Sequence, residues 1–102
     1  MWTALKIAII ALGVMSSGGA AFAANPCTRI PGVWSWFTGG DVIFERDGTL
    51  TQGMLTGTWA CTNRRVAIFW SHHFIDRLAL SPDGNHLTGT NGIVPVSGDR
   101  IY

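Results

Sequence analysis

Chain-turning residues recur at short intervals along most of this sequence: Pro31-Gly32, Gly39-Gly40, Asp47-Gly48, Gly53, Gly57, Asn63, Pro82-Asp83-Gly84, Asn91-Gly92 and Gly98-Asp99. Between them lie runs of about five or six residues rich in Trp, Phe, Ile, Val and Thr, the length and composition of short strands. No window holds a helical apolar period for three turns. The spacing therefore predicts an all-β domain with strands over 32–37, 41–46, 49–52, 57–62, 65–70, 75–80, 86–90 and 93–97. Most connections are too short for a crossover, so neighbouring strands should pair antiparallel as an up-and-down meander. Glycine supplies the positive φ that a tight hairpin needs at 38–40. Pro95 has no N–H to give a ladder, which places the last strand on an edge or at a closing seam.

The first 23 residues carry one cation, Lys6, then the apolar run 7–15, then small residues ending in Ala21-Phe22-Ala23. This is the pattern of a signal peptide with a peptidase site after Ala23. Its apolar run falls far short of the roughly 20 residues a membrane span requires. The expectation is a single mature domain, 24–102, in the periplasm or secreted, with no membrane anchor. Ala24-Asn25-Pro26 lacks the Leu and small residues that would mark Cys27 for lipidation. Of the seven Lys and Arg, Lys6 lies in the leader, which leaves six arginines against six acids. A neutral chain without a mature lysine has no basic footprint for nucleic acid or anionic lipid.

A domain this small buries a core that only marginally offsets its conformational entropy, so a covalent staple is expected. Cys27 and Cys61 are the two cysteines of an exported chain, and one bridge is the only pairing open to them. It would pin the N-terminal segment to the strand carrying Cys61.

Gly32-Val33-Trp34 recurs as Gly57-Thr58-Trp59, and an Asp-Gly turn followed by Leu occurs at 47–50 and again at 83–87, a faint sign of a duplicated hairpin unit. With G-x-W opening strands and D-G turns closing them, the stretch "GTLTQGMLTGTW" and the early Gly32-Val33-Trp34 resemble the calycin superfamily of avidins, lipocalins and small bacterial periplasmic metalloprotease inhibitors. The resemblance implies a compact antiparallel barrel of short strands, smaller than an avidin or lipocalin. The interiors of small barrels are filled by side chains, so a lipocalin-sized ligand is not expected inside. By the same resemblance, an inhibitor-like protein would act through the N-terminal residues beside Cys27.

Ser71-His72-His73-Phe74-Ile75-Asp76 is the cluster that most suggests chemistry. Adjacent strand residues face opposite ways, so His72 and His73 cannot share a metal in an extended segment, and His73 and Asp76 also differ in parity. A loop would have to gather them, with His86 as a third ligand; the spacing lacks H-x-H or H-x-x-x-H, and a solvent-facing polar loop is the expectation, with no metal and no cofactor. No serine lies in a nucleophile elbow, Asp76-Arg77 reads as a surface or cross-strand ion pair, and a hydrolase using His73 and Asp76 stands as the enzymatic alternative to a non-enzymatic protein. Arg64-Arg65, at a hairpin turn after Asn63, are candidates for contact with a partner.

The aromatics carry the remaining signal. Trp34 and Trp36 share one strand face, and Val66, Ile68 and Trp70 share another, so most of the mature tryptophans should be core. Trp36 and Phe37 lie on opposite faces, so by strand geometry at most one of them is interior. Ala67 and Phe69 would face outward from a closed barrel as an apolar patch. The leading expectation is a non-catalytic binding module with an aromatic surface or barrel mouth built from Trp36, Phe37, Phe69, Trp70 and Phe74. Its partner would be a protein or a small apolar or aromatic-stacking ligand.

Overall fold

A computed structural model describes residues 25–102; the expected signal peptide, 1–23, and Ala24 lie outside the described residues. The strands are β1 (Gly32–Trp36), β2 (Asp41–Phe44), β3 (Thr49–Gln52), β4 (Leu55–Thr62), β5 (Arg65–Trp70), β6 (Ile75–Leu80), β7 (His86–Thr90) and β8 (Pro95–Arg100). Each pairs antiparallel with the next, and β8 returns to pair with β1, closing the meander into a barrel. The seam joins Trp34 to Arg100, Ser35 to Asp99 and Trp36 to Gly98. Pro95 sits at the start of β8, outside that register, where its missing N–H leaves no gap in the seam. The turn after Trp36 is closed by Trp36 N–H to the Gly40 carbonyl at 2.9 Å, with Gly39 at φ 102°.

Alternation along the strands fills the inside. Trp34, Val42, Phe44, Leu50, Ile68, Leu87 and Val96 are essentially inaccessible to water. Phe44 is the hub, with the rings of Trp34, Trp36 and Trp59 packed edge-on or tilted around it at 5.8–6.2 Å. Trp59 is only partly buried, and its Nε1 donates to the Glu45 carbonyl at 3.0 Å.

One end of the barrel is sealed. A short 3-10 helix, Pro26–Arg29, is capped by the Asn25 side chain, which accepts from the Cys27 N–H. The next residue, Ile30, is fully buried, and its carbonyl accepts from Trp34 Nε1 at 2.9 Å. The Arg100 guanidinium lies over the Trp34 ring at 5.8 Å and donates to the carbonyls of Arg29 and Pro31. The Cys27–Cys61 disulfide ties the helix to β4.

Two expectations about the last strand need correction. Ile93 and Val94 belong to the β7–β8 turn, because the Asn91 side chain accepts from both of their N–H groups and draws the chain into a loop. Gly98 is inside β8 and makes no turn: a Cβ there would meet the Trp36 ring at 2.5 Å, so the glycine is the space the indole occupies.

The sealing contacts and the Gly98 gap each have a measurable consequence. Replacing both cysteines with serine should lower unfolding free energy by about 3 kcal/mol, since the bridge closes a loop of some 35 residues. Denaturant titration checks this, and a loss well under 1 kcal/mol would contradict it. Gly98→Ala should cost about 1–3 kcal/mol by overpacking and shift the Trp36 emission as the ring is displaced. Unchanged stability and emission would show that the gap is not filled as described.

Candidate functional site

The opposite end of the barrel is open. Its four turns surround a cavity of about 360 Å³. The β1–β2 turn contributes Trp36, Phe37 and Thr38, and the β3–β4 turn contributes Gln52 and Leu55. Trp70, His72, Phe74 and Asp76 come from the β5–β6 hairpin, and Asn91, Ile93 and Val94 from the β7–β8 turn.

Strand parity places the two tryptophans. Trp36 follows Trp34 to the inside, and Trp70 follows Val66 and Ile68. Trp36 is the interior member of the Trp36–Phe37 pair. Phe37 has left the strand at the turn, and its ring stands on the rim, 45% exposed and 6.5 Å from the Trp36 ring. The β5–β6 hairpin is closed by Trp70 N–H to the Phe74 carbonyl at 3.0 Å and by His73 N–H to the Trp70 carbonyl at 2.9 Å. His73 takes the left-handed conformation, φ 77°, and His72 and Phe74 meet edge to face at 4.8 Å on the rim.

Asp76 is the unexpected member. The sequence reading made it half of a surface ion pair with Arg77 or the partner of His73, yet its side chain is only 3% exposed while Arg77 faces outward. The physical reason is β6 parity: Asp76 shares the inward face with Leu78 and Leu80. The carboxylate accepts one hydrogen bond among the described residues, from Trp70 Nε1 to Oδ2 at 2.8 Å. Burial in this apolar setting pushes its pKa up from 3.8, opposed by the Trp70 hydrogen bond and by the charge of nearby His72. Among the described residues, no Lys, Arg or Glu lines the cavity with it.

The other candidates lie elsewhere. Phe69 points outward from β5, 45% exposed, and is not part of the mouth. Arg64 occupies the β4–β5 turn with φ 73°, its Nε 3.4 Å from the Leu80 carbonyl, near the sealed end. Arg65 instead borders a shallow outer groove floored by Ala60, Ala67 and Ala79. The two arginines therefore do not form a joint tip. His86 lies at the sealed end, 2.6 Å from Asp99 Oδ1, so it cannot join His72 and His73. Among the described residues no three His, Cys, Asp or Glu side chains are grouped to hold a metal ion.

Leu55, Gln52, Ile93 and Val94 line the mouth without having been singled out in the sequence. Alternation could have found Leu55, in register with Gly57 and Trp59 on β4. The turn residues 93–94 carry no such signal, because an apolar Ile-Val pair reads as strand until the Asn91 cap is seen.

Asp76→Asn keeps an acceptor for Trp70 Nε1 and removes the buried charge, so the variant should be more stable than the parent at neutral pH. A carboxyl whose folded pKa is raised holds its proton longer in the folded chain than in the unfolded one. The parent's penalty is therefore complete above the folded pKa and fades as pH falls toward 3.8. Thermal denaturation at about pH 7.5 and about pH 4 should show the gap in Tm shrinking at the lower pH; a gap that is constant or reversed would contradict the placement of the charge. In comparisons with known proteins, no family model, no curated protein and no solved structure matches this chain.

Proposed function

We propose that the mature chain is an exported, non-catalytic binding module of calycin type that takes a small apolar or aromatic ligand at the open mouth of its barrel. The observation that carries this reading is the cavity itself: two buried tryptophans, two rim phenylalanines and a single buried carboxylate converge there. Small-molecule sites are typically concave and apolar, with few placed polar groups and volumes of roughly 300–1,000 Å³. A charge held in an apolar pocket at a cost to stability is a common mark of a functional site.

The calycin reading draws support from the closed eight-strand meander and from Gly32-Val33-Trp34 at the opening of β1. Export draws support from the leader pattern and from the paired cysteines, which suit an oxidising compartment. The inhibitor-like alternative is less favoured, because Pro26–Arg29 is tied down by the disulfide, by Arg100 and by the hydrogen bond from Arg29 to Asn85. That segment is occupied in sealing the barrel.

Titration of the mature protein with small neutral aromatics such as 2-phenylethanol should give a saturable change in tryptophan emission, since Trp36 and Trp70 line the site. The double substitution Phe37→Ala, Phe74→Ala should weaken binding about tenfold, from ring contacts each worth about 0.5–1.5 kcal/mol. Phe69→Ala, on the outer face, should leave it unchanged. Absence of saturable binding, or equal losses from Phe69→Ala, would overturn the reading.

A further inference from the structure

The described residues of the mouth pair one acidic group with aromatic walls and include no Lys or Arg to answer it. Asp76 is almost completely covered, and its only hydrogen-bond partner among the described residues is a neutral indole N–H on Oδ2. His72 is the one other titratable group lining the cavity; it stands exposed on the rim, packed against Phe74. A buried carboxylate without a cation is costly, and a ligand that brings the missing charge removes that cost. The walls favour the same charge, because the faces of Trp and Phe attract cations, more strongly where water is displaced.

Resting on the binding reading above, we infer that the ligand is a small organic ammonium: a protonated amine carried on an apolar or aromatic body. The amine donates to Oδ1 of Asp76, the oxygen without a partner among the described residues, beside the Trp70 indole. The body lies between Trp36, Phe37, Phe74 and Leu55, within a volume of about 360 Å³ that holds a ring and a short chain. A carboxylate ligand of the same shape would bring a second negative charge to Asp76 and be excluded.

Binding and protonation of Asp76 then compete. Its pKa is raised by burial, and an ammonium beside it favours the ionised form. Affinity for the amine should fall as pH drops through the titration range of Asp76, while affinity for a neutral body of the same shape should not. The charge of His72 also bears on Asp76, so His72→Gln is included to separate the two. No other titratable group lines the cavity from any of the four turns.

The test compares three isosteric probes on the full mature chain: 2-phenylethylammonium, 2-phenylethanol and phenylacetate, by calorimetry and tryptophan emission. The expected order is ammonium at least tenfold tighter than alcohol, with the carboxylate weakest. Asp76→Asn should remove the preference for ammonium over alcohol, and should remove the dependence on pH that persists in His72→Gln. If the alcohol binds as tightly as the ammonium, or if Asp76→Asn leaves the preference intact, the cation inference fails and the apolar binding reading survives. If none of the three binds, both fail.

Discussion

The hydrogen bonds between β8 and β1 are the constraint on which the rest of the molecule depends. A meander of short strands left open would expose two edges and an apolar face too large for so small a domain to cover. Closure removes both edges and turns that face into an interior. An eight-stranded barrel is just wide enough for its own side chains to fill it, and here the rings around Phe44 do so. The seam also brings Arg100 over Trp34, so the last strand, the first strand and the N-terminal helix meet at one point.

That meeting point makes the two ends unlike. At one, Ile30 enters as a plug, Trp34 Nε1 and the Arg100 guanidinium satisfy the carbonyls of the entering chain, and a disulfide holds it there. At the other, nothing in the described chain crosses the opening. The turns stand around a space lined by rings, and Asp76, the one buried charged side chain among the described residues, lies within it. The bridge and the plug stabilise the sealed end, while the open end carries Asp76 at a cost.

Much of the fold was legible from local signals. Five-residue runs between Gly, Pro and Asn-Gly turns give eight strands, and parity correctly places Trp34, Trp36, Val66, Ile68 and Trp70 inside. Three misreadings have separate causes. Gly98 looks like a turn because glycine's usual local meaning is conformational, whereas here it makes room for an indole on the neighbouring strand. Ile93 and Val94 look like strand because side-chain capping by Asn91 is invisible to hydropathy. Asp76 looks like surface because it is charged and precedes an arginine, although its phase with Leu78 and Leu80 pointed inward. Only at Gly98 did a contact from a neighbouring strand override the local rule.

By itself, the sequence determined strand number, antiparallel order, the single possible disulfide and the aromatic stock of the interior, because these follow from turn chemistry and period-two alternation acting over a few residues. It also named Trp36, Phe37, Trp70 and Phe74 as a group. Only the tertiary structure decided that the sheet closes, which end is sealed, and that Ile93 and Val94 join that group. Those outcomes depend on distances between residues far apart in the chain. They are fixed by barrel closure and by the register of strands 1 and 8, which no local pattern encodes.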